Sequence, residues 1–283
     1  MVLDAKIKKQ ICDFVYTKPR VVDEVAKVIG KNWRTAERYI QKIAQEDGCI
    51  TTRTFREGTR GALKLVFWSN IEKIHSSSFQ EHLFKKIEAG RTKDEFDPFD
   101  IYQYVNENKK HTFMEKFDNP SISNIQNLVP LLRSCEHSLY IFSGNLSWIN
   151  MIEKKKKLIK ILEELAKKNV KIRVICRVDF ASLNNIEKIY TINNKIGKEI
   201  IEIRYSKQPL RGFIVDDKIA RFKEEKLIST YKKGELEKNT RLFVEIYDKE
   251  WIEWLTKVFY NLFRNSIDAH KRIEQLEKIK CKK

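Results

Sequence analysis

Two arginines four residues apart, Arg34 and Arg38, lie in the run Asn32-Trp33-Arg34-Thr35-Ala36-Glu37-Arg38-Tyr39-Ile40-Gln41. On a helix such residues share a face, so both guanidinium groups point the same way, an arrangement suited to a guanine edge or to phosphate oxygens. With Ala36, Ile40 and Ile43 turned inward, Trp33, Arg34, Glu37, Arg38 and Gln41 fall on or near the outer face. Arg34 is assigned to base reading, and Arg38 to a phosphate or to an internal pair with Glu37 or Glu24. A second basic group follows at Arg53, Arg56, Arg60 and Lys64 against Glu57 alone, a net charge of +3 within a dozen residues. Groups arranged for covalent or metal chemistry are scarce. Asp216-Asp217 reads as a turn in which Asp stabilises the backbone rather than as a metal pair. Ser143-Gly144-Asn145 follows an apolar run, where α/β sheets hold ligands, yet reads as a plain turn. The five cysteines, Cys12, Cys49, Cys135, Cys176 and Cys281, are scattered, odd in number and without a CxxC pair. That excludes a disulfide framework or zinc site as the expectation and leaves reduced thiols, with Cys12 and Cys176 read as small buried hydrophobes. No metal, cofactor or catalytic residue is expected.

The elements that must position these residues follow from periodicity. Residues 4–16 repeat apolar side chains at Ile7, Ile11, Phe14 and Val15, a helical spacing that stops at Thr17-Lys18-Pro19. A second helix begins at Pro19 with Val21, Val22, Val25, Ala26 and Ile29, and ends at Gly30. Asn32 can cap a third, with Ala36, Tyr39, Ile40 and Ile43 inside. Runs 49–55 and 62–68 are β-rich and joined by Arg56-Glu57-Gly58-Thr59-Arg60-Gly61, a hairpin with a basic tip. Three helices and a hairpin make a winged helix-turn-helix, expected over residues 1–69. In such a fold the helix holding Arg34 enters the major groove and the hairpin follows the backbone or minor groove. The expected DNA contacts are therefore Asn32, Trp33, Arg34, Thr35, Arg38 and Gln41 on the helix, with Arg53, Arg56, Arg60 and Lys64 on the wing. Winged helices also mediate protein contacts, so the arginines carry the argument rather than the fold.

Residues 70–120 read as a helical linker, with Ile71, Ile74, Phe79, Leu83 and Ile87 on one stripe before an acidic turn at 94–99. Residues 121–283 alternate strands and helices: an amphipathic segment from Ile122 to Leu132, strands at 138–143 and 170–177 flanking a helix, a helix at 185–196, and strands at 199–204, 211–215, 219–222 and 242–246. A long helix from Lys249 closes the chain. The fold class expected is multidomain α/β, with the third part a mixed sheet domain.

Composition sets the outer bounds. The chain has 283 residues, enough for a small and a larger core, and 42% hydrophobic with 34% charged residues fits a globular protein. A net charge of +17 favours a polyanionic partner. Lysine runs such as 154–157 attribute part of that charge to composition, which explains the arginines at 34–60 poorly. Apolar runs such as 138–143 are strand-length, too short for a membrane span. The N-terminus Met1-Val2-Leu3-Asp4-Ala5-Lys6 has no basic head and apolar core, so a cytoplasmic location is expected.

Three stretches carry resemblances. The run Lys31 to Ile40 followed by Gly48-Cys49-Ile50 looks like archaeal winged-helix regulators. Pro209-Leu210-Arg211-Gly212-Phe213-Ile214-Val215-Asp216-Asp217-Lys218 resembles the strand-turn-strand around the phospholipase D signature, HxKxxxxD. Aligned on Asp216, the histidine position holds Pro209 and the lysine position Arg211. Enzymes of that type form a covalent intermediate on the histidine. Proline cannot, and no histidine occurs between His137 and His270. The resemblance therefore implies a degenerate phospholipase D-like domain without catalysis. With Leu242-Phe243-Val244-Glu245-Ile246-Tyr247-Asp248-Lys249 and Phe259-Tyr260-Asn261-Leu262-Phe263 downstream, the order of parts resembles the TrmB family of archaeal transcriptional regulators. In that family the C-terminal domain senses a ligand, often a sugar, and helps set the oligomer. The resemblance implies a non-enzymatic regulator of duplex DNA, a homodimer with a small-molecule effector of open identity. Two alternatives stand beside it, a phospholipase D-related nuclease or phosphodiesterase targeted to DNA and a non-specific architectural DNA-binding protein.

Overall fold

The apolar stripe of the N-terminal segment forms α1 (Ala5–Tyr16), which buries Ile11 and Val15. Strand β1 (Arg20–Val21) runs into α2 (Val22–Ile29), and α3 (Trp33–Glu46) follows. The chain is described as a computed structural model over residues 3–16, 19–46, 49–56, 62–68, 77–119, 122–123, 127–230 and 238–280, and it divides into two units, Met1–Ser76 and Ser77–Lys283. Between α2 and α3 the chain reverses at Gly30, whose φ of +63° is left-handed and readily open only to glycine. The N–H groups of Gly30 and Lys31 return to the carbonyls of Lys27 and Ala26 and close the helix end.

Strands β2 (Ile50–Arg56) and β3 (Ala62–Trp68) pair antiparallel, from Ile50 opposite Trp68 to Arg56 opposite Ala62. β1 lies on the other side of β3, Arg20 opposite Val66 and Val21 opposite Leu65. The second helix thus begins at Val22 rather than at Pro19, because Arg20 and Val21 have backbone partners in β3. One apolar cluster of Ile11, Val15, Val22, Val25, Ala36, Ile40, Ile43, Ile50 and Val66 joins all three helices to the sheet.

The second unit is mixed α/β. It runs α4 (Ser78–Ala89), α5 (Phe99–Tyr102), β4 (Lys110–Lys116), β5 (Ile122–Ser123), α6 (Leu128–Arg133), β6 (Ser138–Phe142), β7 (Ile152–Glu153), β8 (Lys156–Lys157), α7 (Leu158–Lys167) and β9 (Lys171–Cys176). It continues α8 (Leu183–Ile196), β10 (Ile201–Tyr205), β11 (Gly212–Val215), β12 (Ile219–Lys226), β13 (Thr240–Ile246), α9 (Lys249–Arg264), β14 (Ile267–Asp268) and α10 (Ala269–Lys280). The main sheet has the order β14-β10-β9-β6-β11-β12-β13-β4, and β5, β7 and β8 form a small separate one. In the main sheet β6, β9 and β10 are parallel and the remaining neighbours antiparallel, while β5 and β7 of the small sheet pair in parallel. Leu139 and Ile141 of β6 face the cluster built by α6, α7, α8 and α10. Their alternates Tyr140 and Phe142 pack on Phe259 of α9, with ring centroids 5.1 Å apart in each case. Helices therefore cover both faces of this strand, which explains a run buried at every position rather than at alternate ones.

Two expectations are corrected here. Residues 77–119, read as part of a helical linker, belong to the second unit. β4 pairs with β13 over seven residues, from Lys110 opposite Ile246 to Lys116 opposite Thr240, and Phe79 of α4 stacks on Tyr104, which stacks on Trp251 of α9. The closing helix is also two helices. Asp268 pairs with Arg204 in β14, and its Oδ1 accepts from His270 N at 2.9 Å, so one carboxylate ends the strand and starts α10. No described helix is long and apolar enough to cross a membrane.

Candidate functional site

α3 keeps Ala36, Ile40 and Ile43 fully buried and Tyr39 nearly so, while Trp33, Arg34, Arg38 and Gln41 are exposed. Arg34, Arg38 and Gln41 recur at the spacing of one helix face. Trp33, at the first turn, is 42% exposed, unusual for so large an apolar ring. Asn32 Oδ1 accepts from Thr35 N at 2.9 Å, so Asn32 acts as the N-cap that aims this face and Thr35 is half-buried behind it. Of the two partners suggested for Arg38, Glu37 pairs with Lys64, and Glu24 lies 4.0 Å from Arg20 and accepts from Val21 N.

On the wing, Arg53 stands opposite Leu65 and Arg56 opposite Ala62 at the outer end of the hairpin, while Arg60 lies outside the described residues. Lys64, expected among the DNA contacts, is different. Its Nζ meets Glu37 Oε1 at 2.7 Å with only 15% of the side chain exposed, so its charge is neutralised between wing and helix. Cys12 and Cys49 bring their Sγ atoms to 3.7 Å, a contact of two thiols rather than a bond.

In the second unit, the motif at 209–216 lies at the start of β11 and its turn. Asp216 and Asp217 have φ of +50° and +54°, and Lys218 N donates to Val215 O at 2.9 Å, the geometry of a tight hairpin turn. Asp216 Oδ1 and Oδ2 accept from the backbone N–H groups of Glu136, His137 and Ser138 at 2.7–2.8 Å. This carboxylate staples the β11–β12 turn to the start of β6, and Thr256 of α9 donates to the neighbouring Asp217 at 3.2 Å. Burial acts to raise the Asp216 carboxyl, but the N–H groups of Ser138, Glu136 and His137 outweigh it and hold it below the usual range. A carboxyl lowered by folding adds stability that is fully present above its unfolded value, about 3.9, and lost as pH falls through the folded one. Asp216→Asn is accordingly expected to cost about 1–3 kcal/mol at pH 6 and progressively less below about pH 4, in urea unfolding at several pH values. A loss independent of pH would show that the charge is not what the three N–H groups require.

At the other end of β11, Pro209 fits against Gly90, where a Cβ would lie 2.7 Å from Pro209 Cγ. Arg211 Nη1 donates to the carbonyls of Gln208 and Leu210 at 2.9 and 2.7 Å. The C-terminal ends of β6, β9 and β10 open beside it onto a cavity of about 530 Å³. Ser143, Gly144 and Asn145 line it, as do Arg177, Gln208, Pro209 and Arg211, and no histidine does among the described residues. Seven basic side chains face it against three acidic ones. Lys223 is engaged by Glu225, Arg221 by Glu245 and Arg177 by Asp179, whereas Arg211 forms no ion pair among the described residues. Burial, then the nearby Arg177, bring the Arg211 guanidinium down to about 10. Sequence reasoning stopped at a turn for Ser143-Gly144-Asn145; the strand-end position was the signal, and Gln208 carried none.

No protein-family model matches the sequence, and no curated protein matches it. Among solved structures, TrmBL2, described as an archaeal chromatin protein with a novel mode of DNA binding, is 11% identical over 94% of either chain, with a TM-score of 0.42. Nuc from Salmonella typhimurium, a phospholipase D family member, is 14% identical over 56% of this chain and 98% of its own, with a TM-score of 0.40. NucT from Helicobacter pylori is 14% identical over 56% of this chain and 99% of its own, at 0.38. Likenesses at these scores are weak.

Proposed function

We propose that this protein is a transcriptional regulator that binds duplex DNA through the first unit, acts as a homodimer and uses the second unit as a non-catalytic sensor domain. The observation that carries the reading is the outer face of α3, where Trp33, Arg34, Arg38 and Gln41 are exposed on a helix whose opposite face is wholly core. A side chain selected only for solubility would not need a half-exposed tryptophan beside two arginines. In a helix-turn-helix this face enters the major groove, where arginine matches the O6 and N7 acceptors of guanine and a dimer reads two half-sites.

The non-catalytic role of the second unit is supported by Pro209 at the position where a nucleophilic histidine would be needed, and by the absence of any histidine from the cavity wall among the described residues. Selection from a random duplex pool is expected to enrich one motif with two half-sites, and supercoiled plasmid incubated with the protein and divalent metals is expected to remain intact. A pool that yields no motif would indicate an architectural protein instead. Nicking that persists through purification would identify a nuclease.

A further inference from the structure

The cavity beside β6, β9 and β10 is lined by residues that keep hydrogen-bonding groups unsatisfied within the described protein. Arg211 spends only Nη1 on the protein, leaving the Nε and Nη2 hydrogens without an acceptor among the described residues. Those two nitrogens are the fork that grips both oxygens of a carboxylate or phosphoryl group. Gln208 is 2% exposed and gives its Nε2 hydrogen to Ser143 O at 3.1 Å, which sets the amide and turns Oε1 into an acceptor with no donor. The buried Trp148 Nε1 hydrogen on the same wall also has no acceptor. Buried polar groups are nearly always paired, and each one left open costs stability unless something else completes it. Gln208, Trp148 and Arg211 all line this one cavity, and of the three it is the Arg211 fork, beside Gly144 on the same wall, that has both an unspent pair of donors and a charge for a ligand to meet. The cavity volume lies in the range of about 300–1,000 Å³ that suits a small ligand rather than a polymer.

We propose that this cavity binds a small organic oxyanion, gripped by the Nε–Nη2 fork of Arg211 on a wall where basic side chains outnumber acidic ones seven to three. The site adjoins Pro209, and Arg211 can hold an anion there but offers no nucleophile. It rests on the reading of the second unit as a non-catalytic sensor, and not on the DNA-binding face.

Thermal unfolding of the full chain without DNA tests it, using inorganic phosphate and acetate as separate probes, each against chloride at equal ionic strength. A specific oxyanion at a hundredfold excess over its Kd is expected to raise the Tm of the second unit by about 5–10 °C. A rise with phosphate alone assigns a phosphoryl group, and with acetate alone a carboxylate. Arg211→Gln is expected to abolish the rise, measured against its own Tm in chloride, because the substitution also removes the donor to the carbonyls of Gln208 and Leu210. Should R211Q fail to fold, Arg211→Lys keeps the charge without the fork and is expected to weaken the anion at least tenfold. Lys195→Gln, on the exposed side of α8, is expected to leave the rise intact. Equal Tm values in oxyanion and chloride, or an equal rise in the Arg211 variant, overturn the proposal. So does a short duplex that displaces phosphate from the parent, which would make the cavity a nucleic-acid surface. If the rise is absent while duplex binding persists, this site fails and the regulator reading stands; if R211Q loses the rise and plasmid is cleaved, the sensor reading fails and the anion site stands.

Discussion

Replacing Arg34 and Arg38 together by alanine is expected to weaken binding to the selected duplex by about 30- to 1,000-fold at moderate salt. A bidentate arginine–guanine contact is worth about 1–3 kcal/mol and a phosphate contact adds a smaller, salt-dependent amount, and these sum to that range. The two single variants should behave differently. Arg34→Ala is expected to relax preference at one base pair, because that side chain leads into the groove from the first turn of α3. Arg38→Ala is expected to weaken all duplexes alike and to reduce the slope of affinity against salt by about one. Arg34 is exposed with no ion pair among the described residues, so its loss should leave the unfolding free energy within about 0.5 kcal/mol of the parent. Gel-shift titrations at two salt concentrations, alongside urea unfolding, separate these effects. Undiminished affinity in the double variant would remove α3 as the reading element.

The largest expected stability change lies in the second unit, at Arg241. This side chain is 1% exposed on β13 and lies between Glu225 on β12 and Glu115 on β4, at 3.2 and 3.3 Å. Both carboxylates stand directly opposite it in register, and its guanidinium covers the Phe117 ring at 3.9 Å. One cation thus clasps three adjacent strands and secures the edge strand β4. Removing one partner of a buried ion pair costs about 3–5 kcal/mol, because the remaining charge stays buried without compensation. Arg241→Met keeps the apolar bulk and removes the charge, so it is expected to cost that much in urea unfolding. Adding Glu115→Gln to it should recover part of the loss, since one stranded carboxylate is then gone. Equal stability of parent and R241M would mean that the β4 edge is held by its backbone ladder alone.

Where the periodicity was strong, elements were legible from local pattern. α3 carries its core stripe in its own residues, and the all-apolar run of β6 announces a strand covered on both faces. The short strand β1 and the edge strand β4 were not legible, because each exists only by pairing with a distant partner. Arg20 is bonded opposite Val66, and Lys116 opposite Thr240. The same blindness affected two side chains. Lys64 read as a free wing cation although Glu37, 27 residues earlier, holds it. Asp216 stands in the turn read for it, and only the fold shows that its carboxylate is held by the backbone N–H groups of Glu136, His137 and Ser138.

The sequence by itself determined that the chain has a helix with arginines on its outer face, a mixed α/β second part, and proline where a nucleophilic histidine would be needed. These depend on residue identity and on spacing within one element. Only the tertiary structure decided that residues 77–119 join the second unit, that Lys64 is neutralised, and that Arg211, Gln208 and Trp148 line one cavity. Those are outcomes of long-range pairing, in which the partner that satisfies a polar group, or fails to, comes from a distant part of the chain.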